Sequence, residues 1–252
     1  MSLSNRELLK WYLQAGVDEA VGEEPLNRFA EPAPIAPPPP ASPKPPPKTA
    51  DTTLHDACSL AEAASTVDEL RLSLADFEGC ALRKTATNLV FGDGNPDADI
   101  IFIGEAPGAE EDRQGLPFVG PSGKLLERMI GSIGLARSTV YISNTVFWRP
   151  PGNRSPTTTE MAVCMPFVER LIELVDPKVL VALGGPAAKS LLAQSQGVGR
   201  LRGRWFTYST PRLARPIEAT ATFHPAYLLR SPAQKREVWS DMLAIKRKLA
   251  EL

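Results

Sequence analysis

Short unbroken apolar runs recur through the second half of this chain at strand length, and between them the apolar positions fall into helical spacing. The runs lie at residues 99–104 (DIIFIG), 140–144 (VYISN), 179–183 (VLVAL) and 219–223 (ATATF). Near-continuous runs such as DIIFIG and VLVAL are what strands buried on both faces look like. Between them, Leu125, Leu126, Met129, Ile130 and Ile133 fall on one helical face. A second helix starts at the capping pair Thr157/Glu160 and continues through Phe167, Leu171 and Leu174. Pro186, just after Gly184-Gly185, marks the first turn of a third helix, and a last one covers roughly residues 232–249. A further helical stretch runs from Asp51 to about Phe77, and residues 203–208 suit a short hairpin near the last strand. Strands alternating with helices predict a three-layer α/β/α domain around a central, mostly parallel four-stranded sheet.

Upstream of residue 51 the pattern changes twice. Residues 1–30 read as a small helical segment, with Ser4 and Glu7 spaced as a capping box and Leu8, Leu9, Trp11, Tyr12 and Leu13 giving an apolar stripe. Residues 31–50 form a proline-rich linker: ten of the eighteen residues at 31–48 are proline, a composition that favours an extended, semi-rigid spacer. The leading helix either docks back on the core, which residues 51–252 form, or binds a protein partner.

Composition narrows the class. With 252 residues and 43% hydrophobic content, the chain can bury a sizeable core. No eighteen-residue apolar run and no signal-peptide pattern occur, so a cytoplasmic protein, not bound to membrane and monomeric, is expected. Three cysteines without regular spacing predict free thiols. The net charge of −1 hides an uneven distribution: residues 197–252 hold eleven Lys and Arg against four Asp and Glu. A basic face of that kind suits phosphate contact.

Two loops carry the candidate chemistry. Gly104-Glu105-Ala106-Pro107-Gly108 follows the first strand run, and His224-Pro225-Ala226-Tyr227-Leu228-Leu229-Arg230 follows the last. Both sit past the carboxyl end of an expected parallel strand, where open α/β sheets bind ligands. Between them lie Phe118 in a Gly/Pro-braced loop, Asn144 ending the second strand, and Asn153 in the loop Pro150-Pro151-Gly152-Asn153-Arg154. Taken singly, Phe118 reads equally as a core residue and Asn144 as a cap. In this order and spacing the set resembles the uracil-DNA glycosylase superfamily, and within it the family 4 enzymes.

That resemblance implies the superfamily's α/β/α fold and hydrolysis of the N-glycosidic bond of deoxyuridine in single- or double-stranded DNA, within base excision repair. It implies Phe118 as the ring on which uracil stacks, Asn144 as the amide reading its edge, and His224 as the donor to the departing base. Glu105 and Asn153 are the implied water-handling pair. Family 1 enzymes carry an aspartate where this chain has Ala106, so the division of labour between the two stays open. Gly104 and Ala106 would line the substrate pocket, and Glu111 matches a family glutamate lying near the base or bracing the loop. Leu228 matches the wedge that fills the space of the flipped base, while Gly184, Gly185 and Arg230 suit phosphates.

The chain departs from the family where four cysteines ordinarily hold an iron–sulfur cluster. Phe77 and Trp148 stand at two of those positions and only Cys80 and Cys164 match, with Cys58 outside the pattern. Two thiolates cannot make a four-cysteine site, so no cluster and no other metal is expected. The basic, His-containing insertion of relatives that trap DNA covalently is also missing, which favours release of a free abasic product. A non-catalytic reader of uracil or abasic DNA that recruits repair partners is the alternative.

Overall fold

The computed structural model describes residues 5–16 and 50–252, in two compact units that divide at Pro47/Lys48. In the first unit, helix α1 (Asn5–Gln14) exposes Leu8, Leu9, Trp11, Tyr12 and Leu13. Ser4 and the proline-rich residues 31–48 lie outside the described residues.

The second unit opens with two helices, α2 (Ala50–Ala63) and α3 (Val67–Asp76). The helical stretch expected over 51–77 is divided in two where Thr66 caps α3. Its hydroxyl accepts from Glu69 N at 3.1 Å, and Glu69 Oε2 accepts from Ser65 N at 2.7 Å, which satisfies amides that would otherwise have to continue a helix. Then follow strands β1 (Asp93–Gly94) and β2 (Ile100–Gly104), and helices α4 (Ala109–Gln114) and α5 (Pro121–Gly131). Next come β3 (Tyr141–Asn144), α6 (Thr158–Val175), β4 (Val179–Leu183), α7 (Gly185–Leu192), α8 (Val198–Leu201) and β5 (Trp205–Tyr208). The chain ends with β6 (Ile217–Thr222), α9 (Pro225–Arg230) and α10 (Lys235–Glu251).

The strands make one six-stranded sheet in the order β1-β3-β2-β4-β6-β5. Its centre, β3-β2-β4-β6, is the expected set of four parallel strands. The two edges, β1 and β5, are antiparallel and bring the count to six rather than four. Every residue of β2, β3 and β4 is buried, as helices on both faces require. Ile101, Ile103, Leu180 and Ala182 face a core shared with Leu70, Leu74, Phe167 and Leu171 of α3 and α6. Ile100, Phe102 and Val181 face the opposite core, with Leu126 and Ile130 of α5 and Val238, Met242 and Ile245 of α10. The capping box at Thr157/Glu160 forms as its spacing predicts. Among the described residues, no helix is long and apolar enough to cross a membrane.

Candidate active site

All four parallel strands end at one rim, and the loops that leave it enclose a cleft of about 690 Å³. The cleft brings together Glu105, Ala106 and Glu111 after β2, Phe118 before α5, Asn144 at the end of β3, and Asn153. It also takes in Gly184 and Gly185 after β4, and His224 and Arg230 after β6. Residues more than a hundred positions apart thus converge because parallel strands deliver their carboxyl ends to the same side.

The floor is built by close approach. Asn144 lies opposite Gly104 in the β2–β3 register and is 1% exposed. A Cβ placed on Gly104 would stand 2.4 Å from Asn144 Oδ1 and 2.7 Å from the Phe118 ring, so only glycine lets strand, amide and ring share this space. Gly104 therefore shapes the site from beneath rather than lining it. Asn144 Oδ1 and Glu105 Oε1 are buried without a hydrogen-bond partner. Such orphaned acceptors cost about 1–3 kcal/mol each, and in a cleft they mark where a donor-bearing ligand fits.

Phe118 forms one wall. It is 4% exposed and stacks on the His224 ring with centroids 5.5 Å apart and planes 30° from parallel. Its φ of +53° is left-handed, a conformation that costs a bulky side chain about 1–3 kcal/mol and persists only when neighbours enforce it. Glu111 is one of those neighbours. Its carboxylate accepts from Gly108 N at 3.2 Å, Val119 N at 3.0 Å and Gly120 N at 2.9 Å. Of the two roles open to Glu111 in the sequence, the bonds made here are those of a loop brace.

His224 caps α9, its Nδ1 accepting from Ala226 N at 3.1 Å. That bond places the ring proton on Nε2. Burial first, and the positive Arg230 second, push the imidazole pKa down to about 4. Gly184, at φ +94°, bends the end of β4 so that its α-carbon side abuts His224: a Cβ there would lie 3.0 Å from that of the histidine. The result is a neutral ring, held in place, with a single N–H to offer.

That low pKa makes stability depend on pH. Folded His224 binds its proton only near pH 4, while in the unfolded chain it does so near 6.5. The unfolded state therefore holds more protons in between, and acidification through this window removes roughly 1.4 kcal/mol per pH unit. Wild-type protein should lose stability relative to His224→Gln as pH falls from 6.5 to 4, with a constant difference above pH 7. Denaturant unfolding of both proteins across that range measures it, and a flat difference would rule out a buried neutral imidazole.

Some positions differ from expectation. Leu228 is 1% exposed and packs in the core with α5, so in this conformation it presents no wedge; its neighbour Leu229 is 42% exposed. Asn153, at φ +56°, has its Oδ1 taken by Arg149 Nε at 2.7 Å. Ser122, Arg154, Phe223 and Tyr227 line the cleft without having been singled out in the sequence. Phe223 and Tyr227 flank His224 and pack together at 5.0 Å; the aromatic spacing around the histidine was their one visible signal.

Away from the cleft, Cys164 Sγ donates to Cys80 Sγ at 3.9 Å, a bond that lowers the Cys80 pKa. Phe77, Phe147, Trp148 and Phe167 share the same buried cluster. Among the described residues no three His, Cys, Asp or Glu side chains converge as a metal site. The donors present do not fit a four-thiolate cluster.

An open sheet with four parallel central strands and a polar-floored, aromatic-walled cleft at their carboxyl rim defines a ligand-binding α/β protein. A profile of the Uracil DNA glycosylase superfamily matches residues 91–243, and the chain belongs to that superfamily. It is similar to the type-4 uracil-DNA glycosylase of Archaeoglobus fulgidus, at 39% identity over 71% of this chain and 92% of the relative. The type-4 enzyme of Saccharolobus solfataricus is 39% identical over 68% of this chain and 81% of its own length. That of Thermotoga maritima reaches 42% over 60% and 77%.

Proposed function

We propose that this protein excises uracil from DNA as a monofunctional glycosylase, hydrolysing the N-glycosidic bond to leave an abasic site and free uracil. The single observation that carries the reading is the orphaned Asn144 Oδ1, set beside the Phe118 ring and in the same cleft as a neutral histidine. Uracil offers an N3–H donor and an O4 acceptor, and an asparagine amide complements both. Cytosine presents the reverse polarity. With the base stacked on Phe118, His224 Nε2–H donates to O2 as negative charge develops there. Arg230 and the backbone at Gly184-Gly185 meet the flanking phosphates.

Water falls to Glu105. Asn153 Oδ1 already accepts from Arg149 Nε, which competes with water for that oxygen, whereas Glu105 has a buried oxygen with no partner. Glu105, as a carboxylate, thus accepts a hydrogen bond from the attacking water and balances positive charge on the sugar, then takes the water's proton as the new C–O bond forms, and Asn153 orients substrate. At the duplex the exposed Leu229 is better placed than Leu228 to enter the gap left by the flipped base.

Single-turnover reaction of a single-uracil oligonucleotide, single- or double-stranded, followed by alkaline cleavage, tests the activity. Strand breaks at the uracil support hydrolysis; binding without breaks leaves a non-catalytic reader.

The protein is further proposed to act without an iron–sulfur cluster, as a cytoplasmic monomer whose N-terminal segment (residues 1–30) meets a protein partner across the linker. The Cys80–Cys164 pair and the aromatic packing around it support the first point. Anaerobically purified protein should carry no stoichiometric iron and no thiolate–iron absorption near about 400 nm; finding both would overturn it.

A further inference from the structure

A buried phenylalanine in left-handed backbone does not hold itself, and Glu111 secures only the two amides that follow it. The carbonyl side is secured by a residue far from the cleft motifs. Arg137 lies in a single 3₁₀ turn (Arg137–Thr139) just before β3. Its Nη1 donates to Phe118 O at 3.0 Å and its Nη2 to Pro117 O at 2.6 Å. Its Nε donates to Asp93 of β1, and Nη1 also donates, at 3.3 Å, to Glu127 of α5. The guanidinium is therefore tied to the sheet edge on one side and to two successive carbonyls on the other. From below, α5 presses on the same peptide: a Cβ on Gly123 would stand 1.8 Å from Phe118 O.

We propose that Arg137 is a positioning residue for base binding, its planar fork on the Pro117 and Phe118 carbonyls holding the Phe118 ring where the flipped base stacks. The inference rests on the reading of Phe118 as the stacking surface. Phosphate contact is not its role, because two carboxylates already neutralise the charge. Lysine cannot substitute, since a single ammonium has no fork that spans two carbonyls. Without the clamp, the ring leaves its left-handed pose and the base is misplaced, an error of the kind that costs 10- to 100-fold in rate.

The test is a double-mutant cycle read by single-turnover excision on folded protein, alongside inhibition by free uracil. Arg137→Ala and Arg137→Lys should each slow excision about 10- to 100-fold and weaken uracil inhibition by a similar factor. In a Phe118→Ala background Arg137→Ala should add no further loss, because the two act as one unit. Losses that multiply in the double variant, or an unchanged rate for Arg137→Lys, would overturn the inference. If Arg137→Ala does not fold, Asp93→Asn loosens the same guanidinium and should slow excision about threefold; a folded Asp93→Asn protein at full rate counts against it. Phe118→Ala at wild-type rate would instead sink the stacking role itself. A slow Phe118→Ala beside a normal Arg137→Ala would sink only the clamp.

Discussion

Asn144→Asp is expected to slow single-turnover uracil excision by about 10²–10³-fold while leaving affinity for abasic DNA within about threefold. Asn144 is fixed by its place at the end of β3, opposite Gly104, with 1% of its surface exposed. Its side chain therefore cannot swing away to relieve a mismatch. In the wild type, the amide oxygen accepts from uracil N3–H and the amide nitrogen donates to O4. Aspartate puts a second acceptor against O4, so one bond is lost and two lone pairs face each other, at about 1–3 kcal/mol. The carboxylate also repels the negative charge that the base acquires as the bond breaks, a penalty that exists only late in the reaction. Together these amount to about 3–4 kcal/mol, which sets the stated range. Selectivity against cytosine should narrow, because the carboxylate can accept from the 4-amino group. Rapid-quench excision and fluorescence anisotropy on the same oligonucleotides separate rate from binding. Equal loss in both would show that Asn144 contributes general affinity and does not read the base.

The parts of this fold that sequence reveals are those where local pattern and burial coincide. β2, β3 and β4 are buried throughout, so their apolar runs could be nothing but central strands. Thr157 and Glu160 carry a cap whose atoms come from four consecutive residues. β1 has only two residues, one of them Gly94 at φ +117°. No periodicity exists at that length, and its pairing with β3 depends on a partner nearly fifty residues away. The same limit governs the site. Spacing brought out Phe118, Asn144 and His224, since each follows or precedes a recognisable element. Which of Leu228 and Leu229 faces inward is decided by how α9 docks on α5, which the heptapeptide around them does not encode. Arg137 carries no motif; its bonds to two carbonyls nineteen and twenty positions away are visible only once the chain is folded.

Charge needs the same correction. The basic excess of residues 197–252 suits a phosphate-binding face, yet part of it is neutralised within the fold. Arg202 pairs with Asp241 and Glu237, Lys248 with Glu218 and Glu251, and Arg212 with Glu62. The Arg202–Asp241 pair, with Thr222 donating to the same carboxylate, instead steadies the end of β6, two residues before His224. Arg202 also lies over the Phe223 ring at 5.7 Å. Of the basic residues in that stretch, Arg230 is the one that lines the cleft.

His224→Ala is expected to cut the single-turnover rate by about 10²–10³-fold, with affinity for uracil-containing DNA changed by less than about threefold. The physical reason is timing. In the ground state uracil O2 is an ordinary carbonyl oxygen, and an N–H bond to it is worth about 0.5–1.5 kcal/mol, most of which water supplies equally well. As the glycosidic bond breaks, negative charge gathers on that oxygen inside a cleft walled by Phe118, and the same donor becomes a charge-assisted one. It is already oriented, because Nδ1 is held by Ala226 N and the ring rests against Phe118. A donor fixed before the reaction needs no reorganisation during it, so its stabilisation falls almost wholly on the transition state. Because the ring is neutral above about pH 4, the wild-type rate should show no inflection near pH 6.5 from this residue. His224→Gln, whose amide can still donate, should recover part of the loss. A large fall in DNA affinity with an unchanged chemical step would place His224 in substrate capture and remove it from leaving-group stabilisation.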